Sequence, residues 1–395
     1  MNKSLLFAVF FLGGILFFYK SNAQANTKLP TYKIAIFAPL YLDSVFDETN
    51  ALKYKQGIPK FITPGLEFVQ GAQVALDSMH LTDVNVEAYI YDSKSYNKSI
   101  PTLINNKELD NIQLIIGSVK DPELKQLADF ALRKEIPFIS ATHPNDGGIT
   151  ANPFFIISNS TLKSHCEAIY SYVFQNHGGD KIFLCRKKGA QEDKVAAYFK
   201  NINEPDGIPL LNIQTLNFDS SFNKQLLQSK LDSNRQTIII GGSLDENFAS
   251  ALTTLSKNLS KTYSINLIGM PNWDGFSSLY KKDAFTDFPI YFTSPYFNNK
   301  ANDYSKMLKD AFTLKYKGKP TDMAYKGFET VYTFTNLLAQ FRDGFINHLN
   351  DTAYKVFNDF NFKPIYIRKN KTPDYFENKH VYFIKLLNGG LSKAW

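Results

Sequence analysis

A strand–helix–strand pattern over residues 111–147 constrains the fold of this chain more than any other feature. A short apolar run ends in Gly-Ser, an amphipathic segment with helical spacing follows, and a second apolar run ends in Ser-Ala-Thr. In an open parallel sheet, ligands bind beyond the carboxyl ends of the strands. The pattern therefore predicts that hydroxyl-bearing residues at two strand ends contact a ligand: Ser118, Ser140 and Thr142.

The same alternation of strand and helix continues on both sides of this unit. One β-α-β-α-β-α-β series covers residues 31–140, and a second series of the same kind covers residues 154–268. Such alternation predicts parallel sheets covered by helices on both faces. Since 395 residues exceed one ordinary domain, we expect an α/β protein with two doubly wound parallel-sheet lobes flanking a cleft.

The later segments are expected to return to both lobes, because neither series contains enough strands and helices to form a complete lobe. No linker separates the two series, which fits a chain that crosses between lobes. We predict that residues 31–150 plus about 271–342 form lobe 1. Residues 151–270 plus about 343–395 are predicted to form lobe 2.

The first 23 residues have the layout of a secretory signal peptide. Lys3 precedes a nearly continuous apolar run from Leu5 to Tyr19, and a small-x-small cleavage site ends at Ala23. An uncleaved membrane anchor is the alternative, but the run is shorter than the roughly 20 residues that a span requires. No cysteine stands near the cleavage site to carry a lipid. We expect a mature protein outside the cytoplasm.

The composition argues against several classes of function. The net charge of +7 is spread along the chain, with no Lys/Arg-dense helix or nucleic-acid motif, so no nucleic-acid partner is predicted. None of the six histidines has metal-ligand spacing, and His143 alone lies near a predicted strand end. No nucleophile elbow, phosphate-binding loop or dinucleotide fingerprint opens a helix. We therefore predict no catalytic residues, metal or cofactor.

The two cysteines leave their redox state open. Cys166 and Cys185 form neither a CxxC motif nor a metal-binding spacing. Export permits a disulfide between them, whereas free cysteine often packs as a small hydrophobic residue. We favour two buried thiols over a bridge.

Four segments, in their order and spacing, resemble the type I periplasmic binding proteins, and most closely the Leu/Ile/Val-binding receptors of ABC transporters. The likeness extends over about residues 31–395. The first segment begins Gly-Leu-Glu-Phe-Val-Gln-Gly and resembles the first helix of the family, in which Gly71 would allow close packing. The four segments are residues 65–76, 117–142, 241–246 and 324–332.

The resemblance implies a function and a mechanism. Such a protein captures a small polar ligand by hinge closure and presents it to membrane subunits of an ABC transporter. This implies a periplasmic location, a monomer, and an amino acid or related zwitterion as ligand. Carried over by position, the carboxylate would be held in lobe 1 by Ser118, Ser140, Ala141 and Thr142, where helix N-termini also favour anions. Glu246, or its neighbour Asp245, would bind the ammonium group.

The sequence departs from the family pattern in one loop of lobe 2. Where the family often has an aromatic residue, this chain reads Cys-Arg-Lys-Lys-Gly. Arg186 or Lys187 at the cleft would suit a ligand with an extra acidic group. Tyr41 and Trp273 are further candidates for the cleft mouth.

Each candidate has a simpler structural interpretation. Serine and threonine at strand ends routinely cap helices and turns. Glu246 could stabilise only its own helix, residues 186–188 could be a solvated basic loop, and Trp273 could be a packed loop aromatic. Two other functions also remain open: a sensor or envelope interaction protein on the same fold, and a secreted hydrolase that uses the cleft.

Overall fold

A computed structural model describes residues 30–55, 57–219, 222–368 and 371–395 of this chain. The predicted signal peptide at residues 1–23 lies outside the described residues. The strands are β1 (Thr31–Ala38), β2 (Asn85–Asp92), β3 (Leu114–Gly117), β4 (Phe138–Ser140), β5 (Phe155–Ile157), β6 (Lys181–Arg186), β7 (Ile213–Asn217), β8 (Thr237–Gly241), β9 (Ile265–Gly269), β10 (Ile290–Ser294), β11 (Phe362–Ile365), β12 (Tyr375–Asn378), β13 (Tyr382–Leu387) and β14 (Gly390–Lys393).

These strands form two sheets of seven, as the alternation in the sequence predicted. The first sheet has the order β11-β12-β5-β4-β3-β1-β2 and the second has the order β14-β13-β10-β9-β8-β6-β7. Strands β1 to β5 are parallel and are joined by β12, while β6 to β10 are parallel in the second sheet. The antiparallel pairs lie at one edge of each sheet. The predicted α/β class with two parallel-sheet lobes is confirmed.

The helices cover both faces of the sheets. The described α-helices are α1 (Leu42–Val45), α2 (Thr63–Asp77), α3 (Ile100–Asn105), α4 (Glu123–Lys134), α5 (Leu162–His177), α6 (Ala190–Asn203), α7 (Lys224–Gln228), α8 (Glu246–Leu259), α9 (Asp303–Tyr316) and α10 (Asp322–Phe341). In lobe 1, α2, α9 and α10 pack on one face of the sheet, and α3 and α4 pack on the other. In lobe 2, α5, α6 and α8 enclose a single continuous core.

Two glycines allow α2 and α10 to pack backbone against backbone. A Cβ atom on Gly71 would overlap the carbonyl oxygen of Ala324, and one on Gly327 would overlap the carbonyl oxygen of Phe68. The predicted close approach at Gly71 is confirmed. The contact fixes the position of α10, whose first turns lie beside the junction of the two lobes.

The chain crosses between the lobes three times, at points that differ from the predicted boundaries. Strand β5 belongs to the first sheet, β10 to the second, and β11 and β12 return to the first before β13 and β14 complete the second. The predicted boundaries near residues 150 and 270 therefore fall before the observed crossings, which follow β5 and β10. Strands β11 and β12, which fall in the range 343–395 predicted for lobe 2, belong to the first sheet. Pairing decides the placement: Phe376 of β12 lies opposite Ile156 of β5, and strand patterns alone carry no partner information.

Hydrogen bonds tie the crossing segments together. The Ser160 hydroxyl donates to the Asn378 carbonyl at 2.6 Å, and the Asn378 amide donates to the Ser158 carbonyl at 3.2 Å. Between β10 and α10, the Phe297 amide donates to Asn358 at 2.8 Å. All three crossings leave from the carboxyl ends of parallel strands, so the ligand-binding edges of both sheets face the same junction.

Both cysteines are free and buried in lobe 2, as favoured from the sequence. Burial raises the pKa of the Cys166 and Cys185 thiols far above the usual range, so both stay protonated. They act as small apolar residues in the core. In the portion of the chain that the structure describes, no helix is long and apolar enough to cross a membrane.

Candidate functional site at the junction of the lobes

Two hydroxyl groups meet at the carboxyl ends of β3 and β4. Gly117 pairs with Ser140 in the sheet, which brings the next residues of both strands together. The Ser118 and Thr142 hydroxyls share a hydrogen bond at 3.0 Å. Ser140 itself is fully buried, and its hydroxyl has no partner among the described residues, so it faces the interior and not the junction. The polar group at this edge is therefore the Ser118–Thr142 pair.

The first crossing segment braces the end of β4. The Ser158 hydroxyl donates to the Ser140 carbonyl at 3.0 Å, and the Asn159 amide donates to the Thr142 carbonyl at 2.6 Å. The Ser158 backbone N–H also donates to the Ser140 carbonyl, at 3.1 Å, so the crossing segment satisfies the carbonyl groups at this strand end. The strand end is thus fixed in position before any ligand arrives.

Asp92 organises the loop that follows β1. Its carboxylate accepts the backbone N–H groups of Leu40 at 2.9 Å, Tyr41 at 3.0 Å and Leu42 at 2.7 Å. The ring of Tyr41 packs edge-on against Phe61, with centroids 5.3 Å apart. The Tyr41 backbone is therefore committed to the loop, while its ring and hydroxyl remain partly accessible.

Arg186, predicted at the cleft, is engaged within lobe 2. Its guanidinium binds the Asp193 carboxylate, and its Nε donates to the Lys187 carbonyl at 3.2 Å. The groove beside it is lined by β6, β7 and α6, and none of the residues that line it belongs to lobe 1. The geometry therefore favours the simpler interpretation, in which this basic loop does not contact a ligand.

The acidic pair at the start of α8 is likewise occupied within its own lobe. Asp245 caps the helix by accepting the Phe248 amide at 2.8 Å, and it forms an ion pair with Lys187 at 3.0 Å. Glu246 accepts the backbone N–H of Ser278 at 3.1 Å. Both carboxylates hold lobe 2 together.

Trp273 lies in the core of lobe 2 and not at the cleft mouth. It is fully buried, and its indole N–H donates to the Ser243 carbonyl at 2.9 Å. The ring occupies the space that Cβ atoms on Gly241 and Gly269 would need, so both strand ends require glycine. Trp273 thus joins the ends of β8 and β9, in agreement with the packed-aromatic interpretation.

Two charged residues that the sequence analysis missed face each other across the junction. Lys326 lies on α10 of lobe 1, and Asp274 follows β9 in lobe 2. Solvent reaches both side chains, yet enough protein surrounds them that desolvation lowers the pKa of Lys326 and raises the pKa of Asp274. That combination is typical of the walls of a cleft. Among the described residues, neither has an ion pair within 4.0 Å, although each influences the other electrostatically.

Other charged groups near Lys326 are already satisfied. Glu329 is buried and accepts three hydrogen bonds, from the Phe357 amide at 3.0 Å and from the backbone and side-chain N–H groups of Asn358, both at 2.7 Å. Burial raises the pKa of Glu329, and these three donors oppose the rise. Asp322 forms an ion pair with Lys300 at 3.0 Å. Lys326 is therefore left without a close counter-ion.

A small cavity lies where the crossing segments meet α10. Its volume of about 20 Å³ is roughly the space that one water molecule needs. Its lining combines the end of β4, the crossings and α10: Ala141, Ser158, Asn159, Pro295, Tyr296, Lys326, Glu329, Thr330 and Phe360. The Tyr296 hydroxyl is buried there without a hydrogen-bond partner among the described residues.

One signal in the sequence could have identified Lys326. It stands between Tyr325 and Gly327 on a long helix whose remaining residues are largely buried, and it interrupts that apolar surface. A lysine in such a place is more informative than the exposed lysines of a basic loop. Within the described ranges, no group of His, Cys, Asp and Glu side chains is arranged to hold a metal ion.

Comparison with solved structures shows the same architecture. A putative branched-chain amino acid ABC transporter protein from Rhodospirillum rubrum matches with a TM-score of 0.64 and 11% identity, over 93% of this chain and 100% of that one. An ABC transporter substrate-binding protein from Desulfitobacterium hafniense, in complex with Leu, matches with a TM-score of 0.58 and 12% identity, over 92% and 100%. LivJ from Streptococcus pneumoniae, in complex with isoleucine, matches with a TM-score of 0.51 and 16% identity, also over 92% and 100%.

The sequence itself gives the family. A search of curated protein sequences finds no match. The sequence profile of the periplasmic binding proteins, however, matches residues 60–387, which is most of the chain. Together with the two-lobe fold, that match shows that this chain belongs to the periplasmic binding protein family.

Proposed function

We propose that this protein binds a small zwitterion, such as an amino acid, between its lobes and delivers it to the membrane subunits of an ABC transporter. The ligand would bind lobe 1 first, and hinge closure would then bring lobe 2 onto it and exclude water. We further propose that the protein acts in the periplasm, as a monomer, after removal of residues 1–23.

The environment of Asp274 is the observation that most supports this proposal. It is an acid without an ion pair among the described residues, it lies at the junction, and desolvation raises its pKa. A ligand ammonium group would stabilise its charged form through a charge-assisted hydrogen bond. We therefore assign the ammonium-binding role to Asp274 in place of Glu246, whose carboxylate already accepts the Ser278 amide.

The hydroxyl pair of lobe 1 supplies the complementary half of the site. Ser118 and Thr142 bond to each other without a ligand, and both hydroxyls can turn to donate to a carboxylate. The bracing of β4 by Ser158 and Asn159 holds them in place, which lowers the entropy cost of binding. Two solved structures with this fold are complexes with isoleucine or Leu, which supports an amino acid as ligand.

Thermal unfolding of the ligand-free protein against a panel of amino acids, short peptides, sugars and organic acids tests the proposal. A ligand present at a hundred times its Kd should stabilise the folded protein by about 2.7 kcal/mol. Mass spectrometry of the purified protein checks that no ligand was carried through purification. A panel without any stabilising amino acid would contradict the proposal and favour a sensor or interaction role.

A pair of variants tests the assignment within the site. Asp274→Asn should weaken binding of an ammonium-bearing ligand by about tenfold or more, because it removes the counter-charge of a desolvated cation. Glu246→Gln is the matched control and should change affinity by less than about threefold. Equal losses in both variants, or a loss in Glu246→Gln alone, would remove Asp274 from the site.

A further inference from the structure

Lys326 and Tyr296 form a second polar corner at the junction, distinct from the Ser118–Thr142 hydroxyl pair. The Lys326 ammonium lies 5.4 Å from the centroid of the Tyr296 ring, and both residues line the small cavity at the crossings. Tyr296 belongs to the crossing that follows β10, whereas Lys326 projects from α10. Two hydrogen-bond donors from different segments thus converge on one space.

Neither donor has an acceptor in the described part of the chain. The Tyr296 hydroxyl is buried beside the Asn298 side chain, and it has no acceptor at hydrogen-bond geometry among the described residues. The Lys326 ammonium group has no hydrogen bond and no ion pair within 4.0 Å there, and it lies over the face of the Tyr296 ring. Buried polar groups are normally satisfied, and a partly desolvated ammonium group is stabilised by a counter-ion. Both groups therefore keep a donor that can bind an acceptor in this space.

The carboxylates around Lys326 do not meet that requirement. Asp322 is paired with Lys300 at 3.0 Å, and Glu329 accepts three hydrogen bonds from residues 357–358. Asp274 lies beyond 4.0 Å on the other lobe, where the proposed function assigns it to the ligand ammonium group. An acidic group of a ligand would supply the acceptor that these carboxylates do not.

We propose that Lys326 and Tyr296 bind a second acidic group of the ligand, so that the preferred ligand is an acidic zwitterion of the aspartate or glutamate type. This inference rests on the proposed function, because it presumes that a zwitterion occupies the junction. The α-carboxylate binds the Ser118–Thr142 pair, the α-ammonium binds Asp274, and the side-chain carboxylate accepts from Lys326 and Tyr296.

The arrangement also changes which residue is expected to recognise a second acidic group of the ligand. The sequence analysis placed an acid-binding cation at Arg186 or Lys187, but those residues pair with Asp193 and Asp245. Lys326 instead lines the cavity where the crossing segments meet α10, and it belongs to lobe 1. Lobe 1 alone would then hold both carboxylates of the ligand, and lobe 2 would add the ammonium contact on closure.

Calorimetric titration with matched acid and amide ligands tests this inference. Ligand-free protein is titrated with L-aspartate, L-asparagine, L-glutamate, L-glutamine and L-leucine. We expect one of the acids to bind about tenfold or more tightly than its own amide, because a charge-assisted hydrogen bond replaces a neutral one. Equal binding of acid and amide, or preference for the amide, would overturn the inference.

Three variants locate the effect. Lys326→Met should abolish the preference for acid over amide. Tyr296→Phe, which keeps the ring, should reduce the preference by about threefold to tenfold. Lys309→Met removes the same charge from an exposed position on α9 and should leave the preference intact. If the preference for acid over amide survives in both Lys326→Met and Tyr296→Phe, other residues cause it and the inference is overturned.

The outcomes separate this inference from the proposed function. Binding of leucine or glutamine without any advantage for the acids would leave the proposed function standing and reject the acidic ligand. Failure of all amino acids to bind would reject both. If Lys326→Met does not fold, as judged by circular dichroism, the wild-type acid–amide comparison and Tyr296→Phe still decide the matter.

Discussion

The two lobes satisfy the polar groups at their strand ends in different ways. In lobe 1, Asp92, Ser158 and Asn159 bond to backbone atoms of the loops that border the junction. In lobe 2, charged side chains bond mainly to one another or to their own helix, as in the Lys187–Asp245 and Arg186–Asp193 pairs. Charge in a loop therefore does not by itself identify a group that is free to bind a ligand. The informative groups are those that the fold leaves unpaired.

The lobes also differ in how their glycines are used. In lobe 1, Gly71 brings two helix backbones together, so an added methyl group would meet a carbonyl that cannot move alone. In lobe 2, Gly269 makes room for the Trp273 ring, which is a side chain. Two predictions test whether this contrast, rigid backbone contact against side-chain packing, governs stability, and a third concerns the pH dependence of lobe 2.

Gly71→Ala should have the largest effect, a loss of about 3 kcal/mol in the free energy of unfolding, because α2 and α10 must separate. Urea unfolding measures it. Gly179→Ala is the control: Gly179 is exposed with no atom near its Cβ position, so a change within about 0.5 kcal/mol is expected. Gly269→Ala should cost less than Gly71→Ala, and an equal cost would remove the contrast between the lobes.

Trp273→Phe should reduce the free energy of unfolding by about 2 kcal/mol. The smaller ring leaves space between Gly241 and Gly269, and the buried Ser243 carbonyl loses its donor. The second tryptophan provides the control, because Trp395 is 57% exposed and its replacement by Phe should cost less than about 1 kcal/mol. Equal costs for the two variants would contradict the buried role of Trp273.

His165 should make the stability of lobe 2 depend on pH. Burial lowers its pKa to about 3, against an ordinary value of 6.5, while its ring bonds to the Thr293 hydroxyl at 2.8 Å. The unfolded chain takes up a proton below pH 6.5 and the folded chain does not. Stability is therefore complete above pH 6.5 and falls as the pH drops towards 3, by about 2 kcal/mol between pH 7 and 5.

His165→Gln should flatten that part of the pH profile and change stability little at pH 7. Urea unfolding of both proteins at pH 7, 6 and 5 measures the difference. A profile that is unchanged in the variant would show that other groups set the acid sensitivity.

The sequence predicted the fold well because the fold depends on periodic patterns. The alternation of strands and helices gave two parallel sheets, and the spacing around Gly71 gave a close helix contact, which the structure confirms. Sheet membership was harder to predict. Strand β5 has three residues, and only its pairing with β4 and β12 places it in the first sheet.

The candidate site was predicted less well, for a physical reason. Residue type and position suggested Arg186, Glu246 and Trp273, but their contacts within lobe 2 occupy them. Lys326 and Asp274 are distant in sequence and are brought together only by the crossings. Whether a charged group is paired is a property of the folded chain, and no local pattern records it.

The three crossings have a consequence for how this protein folds. The first sheet includes β12 and the second includes β13, so neither sheet is complete until the last part of the chain has been made. Contacts such as Phe376 with Ile156 join residues far apart in sequence, and chains with such high contact order fold slowly. During synthesis, no finished lobe can form ahead of the rest.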